Sequence, residues 1–241
     1  MDAHFYLDSP TISQLVDLLR YRGCLTDSRL GDTLEVSPVL VSWPLGVRPS
    51  RSGLSPLLAD VEASMVLTGS WRPDALQRWC PNVPLDAFED WARYGPLVGR
   101  QLDRAVRTLQ KDPASRRAVV ALTGRTSTPP CNCLVHFLTR RGELSVHVYI
   151  RSSDLLLGLP YDVGTWSVVG SVVAATLGLA RGRLHLYLAS LHHYLTAPFP
   201  SGSSLLRLGE VPPLPDARVL AARFLDGGDR WLAWSREEAS Q

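Results

Sequence analysis

Lysine is almost missing from this chain of 241 residues: Lys111 is the single lysine among 25 basic side chains, and the others are arginines. Such a bias accompanies a GC-rich genome, and arginine is also the planar fork that grips phosphate best. An excess of charge is missing too. The net charge of +2 creates no field to draw in nucleic acid or a membrane surface, so neither is expected as a partner. Cysteine is scarce. Cys24, Cys80, Cys131 and Cys133 are too few and too irregular for a disulfide framework, which points to a reducing, cytoplasmic setting. The opening MDAHFYLDSP has no basic stretch leading into an apolar one, so a signal peptide is not expected. One charge-free run, residues 163–180, reaches 18 residues, the lower limit for a spanning helix. Its glycines, serines and threonines fit a buried core helix better.

What is present is the balance of a globular protein, with 45% hydrophobic and 20% charged residues. That length supports one sizeable core, so residues 1–241 read as a single α+β domain without a linker. Apolar spacing predicts helices over 11–21, 57–67 (stopped by Gly69) and 101–110. Alternation predicts a strand pair within 33–42, and strands over 117–122, 133–139, 143–151 and 183–189, with a turn at Arg140-Arg141-Gly142. Residues 70–99 read as an irregular, aromatic-bearing connection of the kind that walls or covers a site. A last helical piece is expected around Trp231.

Several segments carry chemistry. In Pro129-Pro130-Cys131-Asn132-Cys133 a rigid turn between strands could present a thiolate. The same cysteine could instead be a small buried hydrophobe, or half of a metal site that has no matching pair elsewhere. Arg151 and Ser152 at a strand end can bind phosphate together, or Arg151 can simply pair with Asp154. Asp162 opens the apolar run and could be a helix N-cap or a functional acid. Arg116-Arg117 reads as a solvated pair or an anion site. His192 and His193, adjacent on a strand, point to opposite faces and make a poor chelate.

Taken in order, these segments resemble one family. PPCNCLVHFLTRRGELSVHVYIRSSDLLLGLPYDV resembles the active-site core of the thymidylate synthases. KDPASRR and LHHY fit its second arginine pair and its sugar-binding His-x-Tyr. Glu62-Ala-Ser-Met-Val-Leu-Thr-Gly69 matches the helix bearing its glutamate, and Gly95-Pro-Leu-Val-Gly99 a further motif. The resemblance spans about residues 27–198. It implies a thymidylate synthase-like fold, a mixed β-sheet packed with helices, and a sheet-to-sheet homodimer.

The resemblance implies that Cys131 adds to C6 of a pyrimidine nucleoside monophosphate, activating C5 toward the methylene carbon of 5,10-methylenetetrahydrofolate, the co-substrate, with no metal. It places Arg29, Arg151 and Ser152 on the 5′-phosphate, with Arg116 and Arg117 reaching it from the other subunit. His192 and Tyr194 would hold the sugar. Asp154, Leu157, Gly158 and Tyr161 would line the folate site, and Glu62 would organise water and protons. Phe88 falls where a tryptophan faces the reactive methylene, and Trp91 matches a second tryptophan.

Asp162 departs from the synthases, which carry asparagine there to read uracil. A carboxyl holding one proton can donate to cytosine N3 and accept from its amine, and deoxycytidylate hydroxymethylases of the family carry this Asp. Val98 stands where the synthases have tyrosine, and Asn132 replaces the histidine after the nucleophile. A smaller ring at 88 would leave room for water, giving a hydroxymethyl product. The expectation is therefore hydroxymethylation of dCMP, as in bacteriophage DNA modification. A CMP hydroxymethylase of nucleoside-antibiotic biosynthesis, a dCMP C5-methylase and an inactive nucleotide-binding relative are the alternatives.

Overall fold

The computed structural model describes residues 5–50, 55, 57–82, 93–123, 129–199, 207–210 and 217–226. In chain order the elements are β1 (Phe5–Asp8), α1 (Ile12–Arg22), β2 (Cys24–Thr26), β3 (Thr33–Val36), β4 (Val39–Pro44), β5 (Val47–Ser50), α2 (Leu58–Thr68), α3 (Pro73–Trp79) and α4 (Tyr94–Lys111). Then follow β6 (Val119–Ala121), β7 (Asn132–Arg140), β8 (Glu143–Ile150), β9 (Ser153–Asp154), α5 (Gly158–Thr176), β10 (Ala180–Leu188), β11 (Leu191–Tyr194), β12 (Arg207–Glu210) and α6 (Ala217–Phe224).

A six-stranded mixed sheet runs β1-β4-β10-β8-β7-β6, and a smaller one runs β2-β3-β11-β9. Strict alternation sorts the large sheet's two faces. Leu144, Val146, Val148 and Ile150 of β8, with Leu184, Leu186 and Leu188 of β10, turn inward and are buried. Against them lies α5, whose residues Val163 to Ala174 are all buried. A helix apolar all round belongs in the middle of a fold, and α5 packs on the sheet on one side and on α2 on the other. No helix of the described residues is long and apolar enough to cross a membrane.

Two expectations need correction. Residues 33–42 do hold two strands, but β3 pairs with β2 and β11 while β4 pairs with β1 and β10; they lie in different sheets. Nor is Asp162 an N-cap. Helix α5 begins at Gly158, so Asp162 sits in its second turn, where its side chain meets other elements. The predicted helices at 11–21 and 57–67 match α1 and α2, the first opened by a capping box between Thr11 and Gln14. Helix α4 starts earlier than predicted because Gly99, at φ 41°, lets two helical pieces join across a break. The expected helix around Trp231 lies outside the described residues.

Candidate active site

The turn before β7 presents Cys131. Its carbonyl accepts the Arg151 N–H at 2.9 Å, and the Arg151 guanidinium closes over the turn. Arg151 Nε donates to Pro129 O at 3.0 Å and Pro130 O at 3.1 Å, and Nη2 donates to Pro129 O at 2.8 Å. The guanidinium thereby braces the turn, and the Pro130 carbonyl also accepts from Cys133 Sγ at 3.4 Å. Arg151 is thus bonded to this turn, and no Arg151–Asp154 ion pair is found among the described residues. Asp154 Oδ1 instead accepts from the N–H groups of Leu156 and Leu157 at 2.9 and 2.6 Å, fixing the loop that enters α5.

Three elements meet beside Cys131 and its neighbour Asn132, with Asp162 and Tyr94 near enough to feel the charge of the Cys131 thiolate. Helix α5 brings Asp162, Thr165 and Trp166, spaced i, i+3, i+4 and so on one face. Helix α2 brings Glu62, and the first residue of α4 brings Tyr94. Next to Tyr94, Gly95 runs so close to the end of α2 that any Cβ would collide with the Ser70 and Met65 carbonyl oxygens. That close approach, open only to glycine, sets Tyr94 beside the helix of Glu62, and both line one small cavity with Trp71.

Asn132, fully buried, is the hub. Its Nδ2 donates to Asp162 Oδ1 and to the Tyr94 hydroxyl, both at 2.7 Å, and its Oδ1 accepts from Trp166 Nε1 at 3.1 Å. Thr165 Oγ1 donates to Glu62 Oε2 at 3.1 Å.

Charge is unwelcome in this space. Burial pushes Asp162 up to about 7, against the opposing hydrogen bond from Asn132. Burial, with the nearby Asp162 charge adding, pushes Glu62 up to about 8, while the Thr165 hydroxyl pulls it down. Burial raises the Cys131 thiol to about 11, with Arg151 drawing it down and Asp162 and Cys133 adding to the rise. Burial also lifts Tyr94 well above the usual phenol range. Near neutral pH the site therefore holds a thiol, a phenol and two carboxyls that both retain protons part of the time, the arrangement that lets one residue donate and another accept.

A second region lies on β11 and the loop before α5. His192 and Tyr194 share a strand face, their rings 5.2 Å apart and at right angles; His193 points the other way, onto Phe199. Strand pairing sets His192 opposite Asp154. A cavity of about 390 Å³ is lined by Leu30, Asp154, Leu156, Leu157 and Tyr194, which brings the turn of Arg29 to the His-x-Tyr strand. Gly158 begins α5, and the Tyr161 hydroxyl accepts the Ser55 N–H at 3.0 Å. Arg29, Arg116 and Arg117 are exposed, and Ser152 is half-buried. Phe88 and Trp91 lie outside the described residues. Among the described residues, no group of three or more His, Cys, Asp or Glu side chains could hold a metal.

Tyr94, Thr165 and Trp166 are not among the site residues that sequence reasoning finds. A signal exists for two of them, since positions 165 and 166 share the helical face of Asp162. A family model described as thymidylate synthase matches residues 88–209, just over half of the chain. The span contains Cys131, Arg151, Asp162, His192 and Tyr194, whereas Arg29 and Glu62 precede it.

Proposed function

The chain belongs to the thymidylate synthase family, and from that premise we propose that it builds a hydroxymethyl group onto C5 of dCMP. The family moves a one-carbon unit from methylenetetrahydrofolate to a pyrimidine nucleotide, so the chain is a transferase of that kind. The observation that carries the finer reading is the carboxyl of Asp162. It is held at one oxygen by Asn132 and keeps its proton up to about pH 7. A neutral carboxyl offers one donor and one acceptor side by side, the complement of cytosine's N3 and 4-amino group.

In this reading Cys131 Sγ bonds to C6 after its proton leaves, and the C5–C6 electron pair becomes available at C5. Arg151, with Ser152 and Arg29, takes the phosphate; releasing the Pro129 and Pro130 carbonyls would then couple nucleotide binding to the posture of the Cys131 turn. His192 and Tyr194 take the sugar. Glu62, protonated near neutrality and anchored by Thr165, handles protons and water at the reacting carbon. The folate supplies the one-carbon unit. The residues around the 390 Å³ cavity suit such a flat amphiphile: Leu156 and Leu157 give it apolar walls, and Asp154 and Thr196 polar ones. Phe88, Trp91, Gly158 and Tyr161 are the further residues assigned to the folate by the family resemblance. C5 bonds to the one-carbon unit and loses its proton as tetrahydrofolate departs, leaving an exocyclic methylene. Water then adds to the methylene as the C6–Sγ bond breaks, giving the hydroxymethyl group and restoring the C5–C6 double bond.

Residues 1–241 are read as one domain, since a single apolar cluster runs from Ile12 of α1 to Leu225 beside α6. We assign the open face of the six-stranded sheet to a second copy. Tyr6, Leu134, Tyr149 and Tyr187 are exposed there. His136, His147 and His185 form a row across β7, β8 and β10, with His147 and His185 stacked at 4.5 Å. Burial lowers all three, His147 to about 4 with help from its neighbours. Neutral histidines among exposed tyrosines and Leu134, with the Arg183–Asp8 ion pair beside His185, give a face that suits self-association. Arg116 and Arg117 precede β6, the edge strand of this sheet, where a partner could receive them. Sedimentation velocity at micromolar protein should show a dimer; a monomer there removes this assignment.

Product mass decides the reaction. With methylenetetrahydrofolate and a mixture of dCMP, CMP and dUMP, dCMP alone should gain one CH₂O. Gain on CMP instead would reassign the sugar, and a methyl group would reassign the last step. Modification of dUMP would remove the role given to Asp162, and no product with nucleotide still bound would leave an inactive relative.

A further inference from the structure

We propose that Asn132, fixed in one orientation by Trp166, dictates which side of residue 162 accepts and which donates, and thereby makes the pocket read cytosine. This rests on the cytosine reading above and supplies its cause.

An asparagine amide can ordinarily turn over and exchange its oxygen for its nitrogen. Asn132 cannot. The Trp166 indole nitrogen is a donor and nothing else, it lies 3.1 Å from Asn132 Oδ1, and both side chains are buried, at 1% and 0% exposure. Turning the amide over would set two N–H groups face to face with no water to separate them. With the oxygen committed to Trp166, the two hydrogens of Nδ2 are committed as well, one to the Tyr94 hydroxyl and one to Asp162 Oδ1.

Asp162 Oδ1 must therefore accept. A proton on the carboxyl settles on the other oxygen, so the group presents an acceptor at Oδ1 and a donor at Oδ2. In the pose we assign, with C4 of the base towards Oδ1 and N3 towards Oδ2, cytosine meets that order with its amine and its N3. Uracil, with O4 and N3–H, presents the inverse and leaves like facing like.

An asparagine at position 162 would meet the same lock. Its oxygen must face Asn132, which places its amide where the protonated oxygen had been. The donor and acceptor order is unchanged, so Asp162→Asn alone keeps the preference for cytosine. It loses only the dependence on a titrating proton. The synthases that the chain resembles pair Asn at this position with His in place of Asn132, and on this account that histidine frees the amide to take the uracil order.

The test is equilibrium binding of dCMP and dUMP without folate, from pH 6 to pH 9. It uses the wild type, Asp162→Asn, Asn132→His and the double variant. The wild type should favour dCMP by about 10- to 100-fold at pH 6, with the advantage fading as the pH passes the region near 7 where Asp162 ionises. Asp162→Asn should keep the preference at every pH, and the double variant should favour dUMP. If Asp162→Asn prefers dUMP, or the double variant still prefers dCMP, the lock is wrong while the cytosine reading stands. If the wild type itself prefers dUMP, the cytosine reading falls. Should the double variant not fold, Trp166→Phe in the Asp162→Asn background frees the same amide. Its base preference should then drop by about tenfold, and an unchanged preference overturns the lock.

Discussion

Cys131→Ser is expected to lower turnover by at least about 10⁴-fold while leaving nucleotide affinity within about threefold. In the proposed reaction the sulfur forms the bond that saturates C6, and a serine hydroxyl, far less acidic and less nucleophilic, has no base near it strong enough to replace that chemistry. Affinity is expected to hold because the proposed phosphate, sugar and base contacts belong to other residues. The carbonyl of residue 131 still receives the Arg151 N–H, so the turn keeps its shape. Single-turnover kinetics beside calorimetric binding separates the two effects. A variant that kept a tenth of the activity would exclude covalent addition through this sulfur. The pH profile of the wild type adds a second check. The thiol stands at about 11 and the Asp162 carboxyl at about 7, so rising pH favours the thiolate while removing the proton that pairs with cytosine. With those two groups in opposition, kcat/KM for dCMP should pass through a maximum.

Much of the fold and of the site is legible in the order of the residues. The strands β7 and β8 and the turn joining them follow from alternation, and the buried α5 from a charge-free run whose flanking Asp162 and internal glycines argue against a membrane. The proposed nucleophile Cys131, the proposed phosphate arginines and the His-x-Tyr strand are suggested by a set of motifs. The hub is not. Asn132 stands out only as a departure from the synthases, because its partners Tyr94 and Trp166 are 38 and 34 residues away, and no local pattern announces a contact between elements. The same reason explains the strands β3 and β4. Their residue types give two strands, but only the competing partners β2, β11, β1 and β10 decide that they enter different sheets. Val98 is a third case. Its side chain is buried in the core, and the hydroxyl that enters the site comes from Tyr94, four residues earlier on the same helix.

Glu62→Gln should cost activity and gain stability, in opposite senses that a purely structural residue would not show. If Glu62 handles protons at the reacting carbon as proposed, its removal is expected to lower kcat by about 10²- to 10⁴-fold. The gain in stability follows from the direction of its titration. Glu62 is raised from 4.5 to about 8 in the fold, by burial first and the Asp162 charge second. The native state therefore holds a proton that the unfolded chain gives up between these two values. Stability contributed by that proton is full below about pH 4.5 and is lost progressively as the pH rises through 8. A shift of that size corresponds to an upper limit of about 5 kcal/mol. Glu62 is only half-buried at its surface, so water bears part of the charge and about 2 kcal/mol is expected. Glutamine keeps the Thr165 hydrogen bond and never ionises. Urea unfolding at about pH 5 and about pH 9 should accordingly find the variant close to wild type at the lower pH and about 2 kcal/mol more stable at the higher one. A difference that did not grow with pH would mean that Glu62 is charged and solvated in the fold, and with it would go the protonated carboxyl on which its proposed role depends.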